Sequence, residues 1–107
     1  MHYEQSSEFS HLPPITYEMK VGLTVRAMRN YFGMSQTQLA ELCDVVRPTI
    51  SSLERGGANR HANANTLEKV IRVFEQLGVE VELDGKGMNF IVSELGVYKA
   101  LIATRQL

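Results

Sequence analysis

The side chains that most often carry out chemistry in proteins are few and scattered in this chain. The three histidines are His2, His11 and His61, and they lack the spacing of zinc ligands. The single cysteine, Cys43, occupies an apolar helical position, which is typical of a small core residue. Residues 85–87 (Gly-Lys-Gly) are interpreted as a turn rather than a phosphate-binding loop. We therefore expect no enzyme activity, no metal and no cofactor.

The charge distribution points to a different kind of chemistry, the binding of a polyanion. Residues 20–60 carry six Lys and Arg against three Asp and Glu, although the whole chain has a net charge of −1. Residues 1–19 contain three Glu and no base, and residues 61–107 carry five bases against six acids. A basic middle segment is expected of a nucleic-acid-binding domain. An ordinary solvated surface is the alternative.

The pattern over residues 35–57 predicts two short helices joined by a sharp turn. Ser35 begins the first helix and forms a capping box with the glutamine three residues later. Asp44 is placed at the sharp turn between the two helices. Asp suits this position because it tolerates the left-handed conformation better than most non-glycine residues. Pro48 lies in the first turn of the second helix, where it costs no hydrogen bond. The pair Gly56-Gly57 ends that helix.

The run SQTQLAELCDVVRPTISSLERG, residues 35–56, resembles the Cro/repressor (XRE-type) helix-turn-helix family. The matching features are the Ser-Gln opening, the Leu-Ala pair, the valine after the turn, Thr-Ile-Ser and the final Glu-Arg-Gly. The resemblance extends from about Val21 to Leu77 and implies a lambda-repressor-like helical bundle. Ala40 supplies the small residue that the crossing of the two motif helices needs. The second helix is then free to enter a DNA major groove.

The resemblance assigns base contacts to the start and outer face of the second motif helix. By position these residues are Val46, Arg47, Pro48, Thr49 and Ser52. Arg47 is the expected base reader, because a guanidinium can bind O6 and N7 of guanine together, which is worth about 1–3 kcal/mol of discrimination. The alternative is that Arg47 is merely solvated. Val46 and Pro48 depart from the polar residues that are usual there, which shifts the expected readout toward thymine methyl groups and DNA shape.

Other positions complete the expected DNA-binding surface. Gln36 matches a family residue that contacts phosphate, and a helix N-terminus favours such anions. Arg55 and Arg60 are further candidates for phosphate contacts. Arg29 and Glu54 match positions that form an orienting ion pair, whose disruption would cost about 3–5 kcal/mol.

The rest of the chain divides into an arm, a DNA-binding unit and a C-terminal unit. Residues 1–14 are predicted to be a flexible arm, and residues 15–78 form the helix-turn-helix domain. That domain starts with a stretch over residues 15–32 that has the apolar spacing of one helical face, and Thr16 is the expected N-cap of this helix. It ends, after a loop over 58–64, with a fourth helix capped by Asn65. Residues 79–107 form a strand or hairpin and a final helix from Ser93 to Gln106. The predicted fold class is all-α with a small β addition.

The strand after the fourth helix bears on the oligomeric state, because a lone strand must pair with something. Pairing of Val79, Val81 and Leu83 with a symmetry mate gives a homodimer whose recognition helices lie about 34 Å apart on a palindromic operator. Pairing with residues 88–92 in a hairpin within the chain is the alternative. We expect residues 79–107 to serve dimerisation or partner binding.

The order of the fourth helix and the strand resembles HipB-type antitoxins. That resemblance implies an autoregulating antitoxin that binds operator DNA and a kinase-like HipA-type toxin. The alternatives are a phage or host regulator without a toxin, and a protein-interaction module with a vestigial helix-turn-helix. The chain has no signal-peptide pattern and no apolar run near the roughly 20 residues of a membrane span. We expect a cytoplasmic, nucleoid-associated prokaryotic protein with no membrane partner.

Overall fold

A computed structural model describes residues 10–57 and 60–107, with the side chains of 60–62 left aside, and these ranges form five helices and one β-hairpin. The element order is α1 (Tyr17–Tyr31), α2 (Gln36–Cys43), α3 (Arg47–Glu54), α4 (Arg60–Gln76), β1 (Val79–Asp84), β2 (Gly87–Val92) and α5 (Glu94–Ala103). The predicted fold class, all-α with a small β addition, is confirmed. Residues 1–9 of the predicted arm lie outside the described residues. No helix in the described ranges is long and apolar enough to cross a membrane.

The first three helices begin and end where their capping residues predict. The Thr16 hydroxyl accepts a hydrogen bond from the Met19 N–H and caps α1. Ser35 and Gln38 form the predicted reciprocal capping box at the start of α2. Asp44 ends α2 in the left-handed conformation, with φ 56° and ψ 47°. The local sequence is therefore sufficient to set these boundaries.

The fourth and fifth helices differ from their predicted limits. α4 begins at Arg60 rather than after Asn65, so the loop predicted over 58–64 is wrong from residue 60 onward. Its early turns contain alanines, which favour helix, and the Asn63 amide donates to the Gly57 carbonyl at 2.7 Å. α5 ends at Ala103, before the predicted Gln106, because Arg105 adopts a φ of 58°.

The predicted strand pairs within the chain. β1 and β2 form an antiparallel hairpin in which Val79 lies opposite Val92. This is the second of the two alternatives, and it removes the need for a symmetry mate to satisfy a lone strand. Val79 is buried in the chain's own core, whereas the Leu83 side chain is 44% exposed. Dimerisation through Val79, Val81 and Leu83 stays a prediction.

The core lies between the four helices of the bundle and extends under the hairpin. α1 faces it with residues three and four apart, and α4 contributes Phe74, whose ring centroid lies 5.8 Å from that of Phe32. The buried apolar residues are Val21, Val25, Met28, Phe32, Leu39, Ala40, Cys43, Ile50, Leu53, Val70, Phe74, Val79, Met88 and Ala100. Because α2 and α3 each bury their apolar face in this cluster, their outer faces are held at a fixed angle to one another.

Candidate nucleic-acid interface

The turn between α2 and α3 is built from main-chain hydrogen bonds. The Val45 N–H donates to the Ala40 carbonyl at 3.0 Å across the left-handed Asp44. This 6→1 bond closes the end of α2 and directs the chain into α3. Ala40 is only 2% exposed, so a larger side chain at this crossing would separate the two helices.

The backbone of α1 packs unusually closely against the C-terminal end of α3. A Cβ atom placed on Gly22 would lie 2.5 Å from the carbonyl oxygens of both Leu53 and Glu54. Glycine is therefore required in the middle of α1, where helix propensity alone disfavours it. Gly22 was not among the predicted site residues, and its signal in the sequence is a glycine inside a strongly periodic helix.

The exposed end of α3 carries the residues predicted to read bases. Val46, the N-cap, is 67% exposed and makes no side-chain capping bond. Arg47 and Pro48 are also exposed, whereas Thr49 and Ser52 are half-buried. The accessible surface of α3 is thus its first turn, which is the part of a recognition helix that approaches base edges.

The predicted ion pair between Arg29 and Glu54 is present and joins α1 to the end of α3. The guanidinium donates from Nε to Glu54 Oε2 at 2.7 Å and from Nη2 to Oε1 at 2.9 Å. Only 11% of the Arg29 side chain and 4% of the Glu54 side chain are accessible. The hydrogen bonds to Glu54 raise the pKa of the Arg29 guanidinium, which favours its charged form. Arg29 Nη1 also donates to the Met34 carbonyl at 2.8 Å, which ties in the connection to α2.

Gln36 connects this ion pair to the predicted base reader. Its Nε2 donates to Glu54 Oε1 at 3.1 Å, and its Oε1 accepts from Arg47 Nη1 at 3.3 Å. A continuous series of side chains therefore runs from α1 through α3 and α2 to the start of α3. Gln36, which by resemblance would contact phosphate, thus has protein partners at both ends of its amide, and its residue type gives no signal of this.

The other two residues predicted to contact phosphate are Arg55 and Arg60. Arg55 is exposed and lies at the C-cap of α3. The Arg60 side chain lies outside the described residues. The site brought together by the structure thus consists of Gln36, Arg47 and the first turn of α3, supported by the ion pair.

Comparison with known families gives the class of this fold. A helix-turn-helix family model, HTH_3, matches residues 25–80, about half of the chain. The chain belongs to the XRE-type helix-turn-helix family. Members of this family are DNA-binding transcription regulators rather than enzymes. No curated protein matches the chain.

The family match covers the C-terminal part of α1 and all of α2, α3 and α4, and it ends at the second residue of β1. The whole constellation from Arg29 to Arg47 therefore lies inside the helix-turn-helix domain. Most of the hairpin and all of α5 lie beyond the match, so their role must be argued from their own surfaces.

Proposed function

We propose that this protein is a sequence-specific transcriptional repressor that binds a palindromic operator as a homodimer, with α3 in the major groove. The observation that carries the proposal is the position of Arg47. It stands exposed at the first turn of α3, and its one side-chain hydrogen bond within the described residues goes to the neutral Gln36 amide. Its charge and its other N–H donors thus remain available for a guanine.

The neighbouring residues supply the weaker part of the readout. Val46 and Pro48 are exposed apolar groups that suit contact with thymine methyl groups. Thr49 and Ser52 are half-buried, so their hydroxyls can contact only DNA groups that come close to the surface of α3. Arg55 is assigned a phosphate contact, which positions the protein without selecting a sequence.

The DNA-binding proposal is tested by comparing two arginine variants that remove the same charge. An operator is first selected from a random duplex pool with the full chain, and binding is measured by fluorescence anisotropy at several salt concentrations. Arg47→Ala should relax the preference at one base-pair position by about 1–3 kcal/mol. Arg72→Ala, at an exposed position of α4, is the matched control and should leave the base preferences unchanged. A binding constant that is insensitive to both salt and duplex sequence would refute operator recognition and favour the vestigial-motif alternative.

The homodimer is assigned to α5, because the apolar residues of this helix are spread around most of its circumference, with Glu94 and Lys99 as its charged residues. Gly96 and Ala100 face the chain's own core. Leu95, Tyr98 and Ile102, spaced three and four residues apart, are 58%, 51% and 65% exposed. A helix that is apolar on all sides is normally buried on all sides. Self-association of α5 would cover this stripe and supply the two-fold symmetry that a palindromic operator requires.

The edge of β1 is the alternative dimer surface, and repulsion between its carboxylates disfavours pairing there. The Gly78 carbonyl accepts from the Ser93 N–H at 2.8 Å, so the even-numbered residues of β1 bond toward β2. The main-chain groups of Val81 and Leu83 then point outward, ready to pair. In any antiparallel pairing of this edge with its own copy, even-numbered residues meet even-numbered residues. These are Glu80, Glu82 and Asp84, so carboxylates would lie directly opposite each other.

Sedimentation of matched variants separates the two dimer surfaces. Tyr98→Glu should convert the dimer into a monomer at micromolar concentration and weaken operator binding, because one recognition helix alone holds only half of the palindrome. Leu23→Glu changes an equally exposed apolar residue, 60% accessible on α1, and should leave the dimer intact. Val81→Pro removes an outward N–H of β1. If Val81→Pro dissociates the dimer and Tyr98→Glu does not, the dimer interface lies at the edge of β1 and not on α5.

A narrower proposal, an autoregulating antitoxin of the HipA-type, rests on an apolar groove that adjoins the α5 stripe and shares Ile102 with it. A groove of about 480 Å³ lies between α1, α2 and α5. Phe32, Met34 and Leu77 line it, and Leu42 stands at its side with 58% of its side chain exposed. This surface is separate from the first turn of α3, so a kinase-like toxin could occupy it on DNA-bound repressor. A cytoplasmic, nucleoid-associated location follows from the same proposal.

The antitoxin role is tested by co-expressing the chain with a kinase-like protein encoded beside it. A stoichiometric complex that is lost in Leu42→Glu, while operator binding is kept, is the expected result. If no such protein is encoded there or no complex forms, the antitoxin role is wrong and the repressor proposal stands alone.

A further inference from the structure

We propose that Gln36 is a positioning residue for Arg47 whose amide orientation is set by the buried carboxylate of Glu54. This inference rests on the proposed base-reading role of Arg47 and extends it inward to the core of the domain. It also reassigns Gln36, which by resemblance would contact phosphate.

The first step is the chemistry of Glu54. Its side chain is buried, and both of its oxygens accept hydrogen bonds from the Arg29 guanidinium in a salt bridge. The Gln36 amide 3.1 Å from Oε1 can therefore present only its NH2 group to Glu54. The reversed amide would place two oxygens against each other. This removes the two-fold ambiguity that a glutamine side chain normally has.

The second step is what the fixed amide offers to Arg47. With Nε2 directed at Glu54, the Gln36 carbonyl oxygen is directed at Arg47 Nη1, 3.3 Å away. A neutral acceptor orients the guanidinium without neutralising it. A carboxylate at the same place would orient Arg47 equally well but would compete with the guanine for its charge. Gln36 thus holds the arginine near a binding geometry while leaving its charge and other donors available to DNA.

The third step is the order imposed on a long side chain. A free arginine loses much of its rotamer freedom when it binds a base, and an arginine held beforehand loses less. This gain appears only at the base pair that Arg47 reads. A phosphate contact, in contrast, strengthens binding to every sequence and adds to the salt dependence. The two roles therefore make opposite predictions for the pattern of base preferences.

The test compares the wild-type chain with four variants on a panel of duplexes carrying every single base-pair substitution of the selected operator. Gln36→Met keeps the length of the side chain and removes both hydrogen bonds. Gln76→Met makes the same chemical change at an exposed position of α4 and is the control. Arg47→Ala and the double variant Gln36→Met/Arg47→Ala complete a cycle. Circular dichroism and thermal unfolding check that each variant is folded.

We expect Gln36→Met to reduce discrimination about two- to tenfold at the base pair read by Arg47 and nowhere else, the range expected for one hydrogen bond. In the Arg47→Ala background it should have no further effect, and the salt dependence should not change. Equal weakening on all duplexes, with a smaller salt slope, would overturn the inference and restore the phosphate contact. If Arg47→Ala itself leaves every base preference unchanged, the proposed base reading fails instead.

A second measurement needs no DNA. In the free protein, the 15N relaxation of the Arg47 Nε–H group reports its order on the picosecond to nanosecond timescale. Gln36→Met should lower this order while leaving the backbone order of α3 as it is in the control. An unchanged Arg47 order parameter would contradict the positioning role even if Gln36→Met affects binding.

Discussion

Removal of Arg29 should cost the helix-turn-helix domain a large part of its stability. Arg29→Met leaves the Glu54 carboxylate buried, and among the residues that the structure describes the Gln36 amide is then its one remaining hydrogen-bond partner. Breaking a buried ion pair in this way costs about 3–5 kcal/mol. The lost bond from Nη1 to the Met34 carbonyl, 2.8 Å long, adds about 0.5–1.5 kcal/mol. We therefore expect a loss of about 3.5–6.5 kcal/mol in the free energy of unfolding, against a total of roughly 5–15 kcal/mol for a typical domain.

Urea unfolding followed by circular dichroism at pH 7 and 25 °C measures this loss. Arg26→Met, at an exposed position of the same helix, is the control and should change stability by less than about 0.5 kcal/mol. Glu54→Leu added to Arg29→Met removes the orphaned carboxylate, so the double variant should regain at least about 2 kcal/mol. The reasoning is refuted if Arg29→Met lies within about 1 kcal/mol of the wild type, or if the second substitution adds to the damage.

Three further predictions concern residues that hold α2 and α3 in place. Gly22→Ala should destabilise the protein by about 1–3 kcal/mol in urea unfolding, because its Cβ has no room against α3; Gly85→Ala, where no atom lies within 4 Å, is the control and should change little. Asp44→Gly should raise the unfolding free energy by about 0.5–1 kcal/mol, since Asp44 has φ 56° and glycine adopts that conformation without strain; a fall would contradict this. Burial raises the pKa of the Cys43 thiol in the folded protein. The free energy of unfolding should therefore be constant below the pKa of an unfolded thiol, about 8.5, and fall as the pH rises above it. Cys43→Ala should show a smaller loss over the same pH range, and equal losses would exclude the thiol as the cause.

The sequence predicted the helix-turn-helix well because each boundary there is determined by local chemistry. Ser35 and Asp44 have side chains or backbone preferences that act within four residues, and the structure places both as expected. The start of α4 was predicted too late, since Asn65 is a good cap by type but lies in the middle of a helix. In that helix the Asn63 side-chain amide donates a hydrogen bond to the Gly57 carbonyl. Residue type alone does not predict this contact.

The site itself shows the same division. Arg47 and its exposure were predicted from position in the motif, and the Arg29–Glu54 pair was predicted from the family resemblance. The contact of Gln36 with both Glu54 and Arg47 was not predicted, because it joins side chains eleven and eighteen residues apart. Neither residue type nor spacing specifies that the ends of these particular side chains meet. Only the angle between α2 and α3, set by the packed core, brings them together.

The buried ion pair therefore has two separable roles, one in stability and one in readout. An apolar replacement of both partners can restore much of the folding free energy, as in Arg29→Met/Glu54→Leu. It cannot restore the acceptor that orients the Gln36 amide, because leucine offers Nε2 no partner. Such a variant should fold and still bind operator DNA through its phosphate contacts. Its preference at the base pair read by Arg47 should nevertheless be as weak as that of Gln36→Met. If the double variant keeps the wild-type preference, Glu54 acts on stability alone and Gln36 is oriented by Arg47.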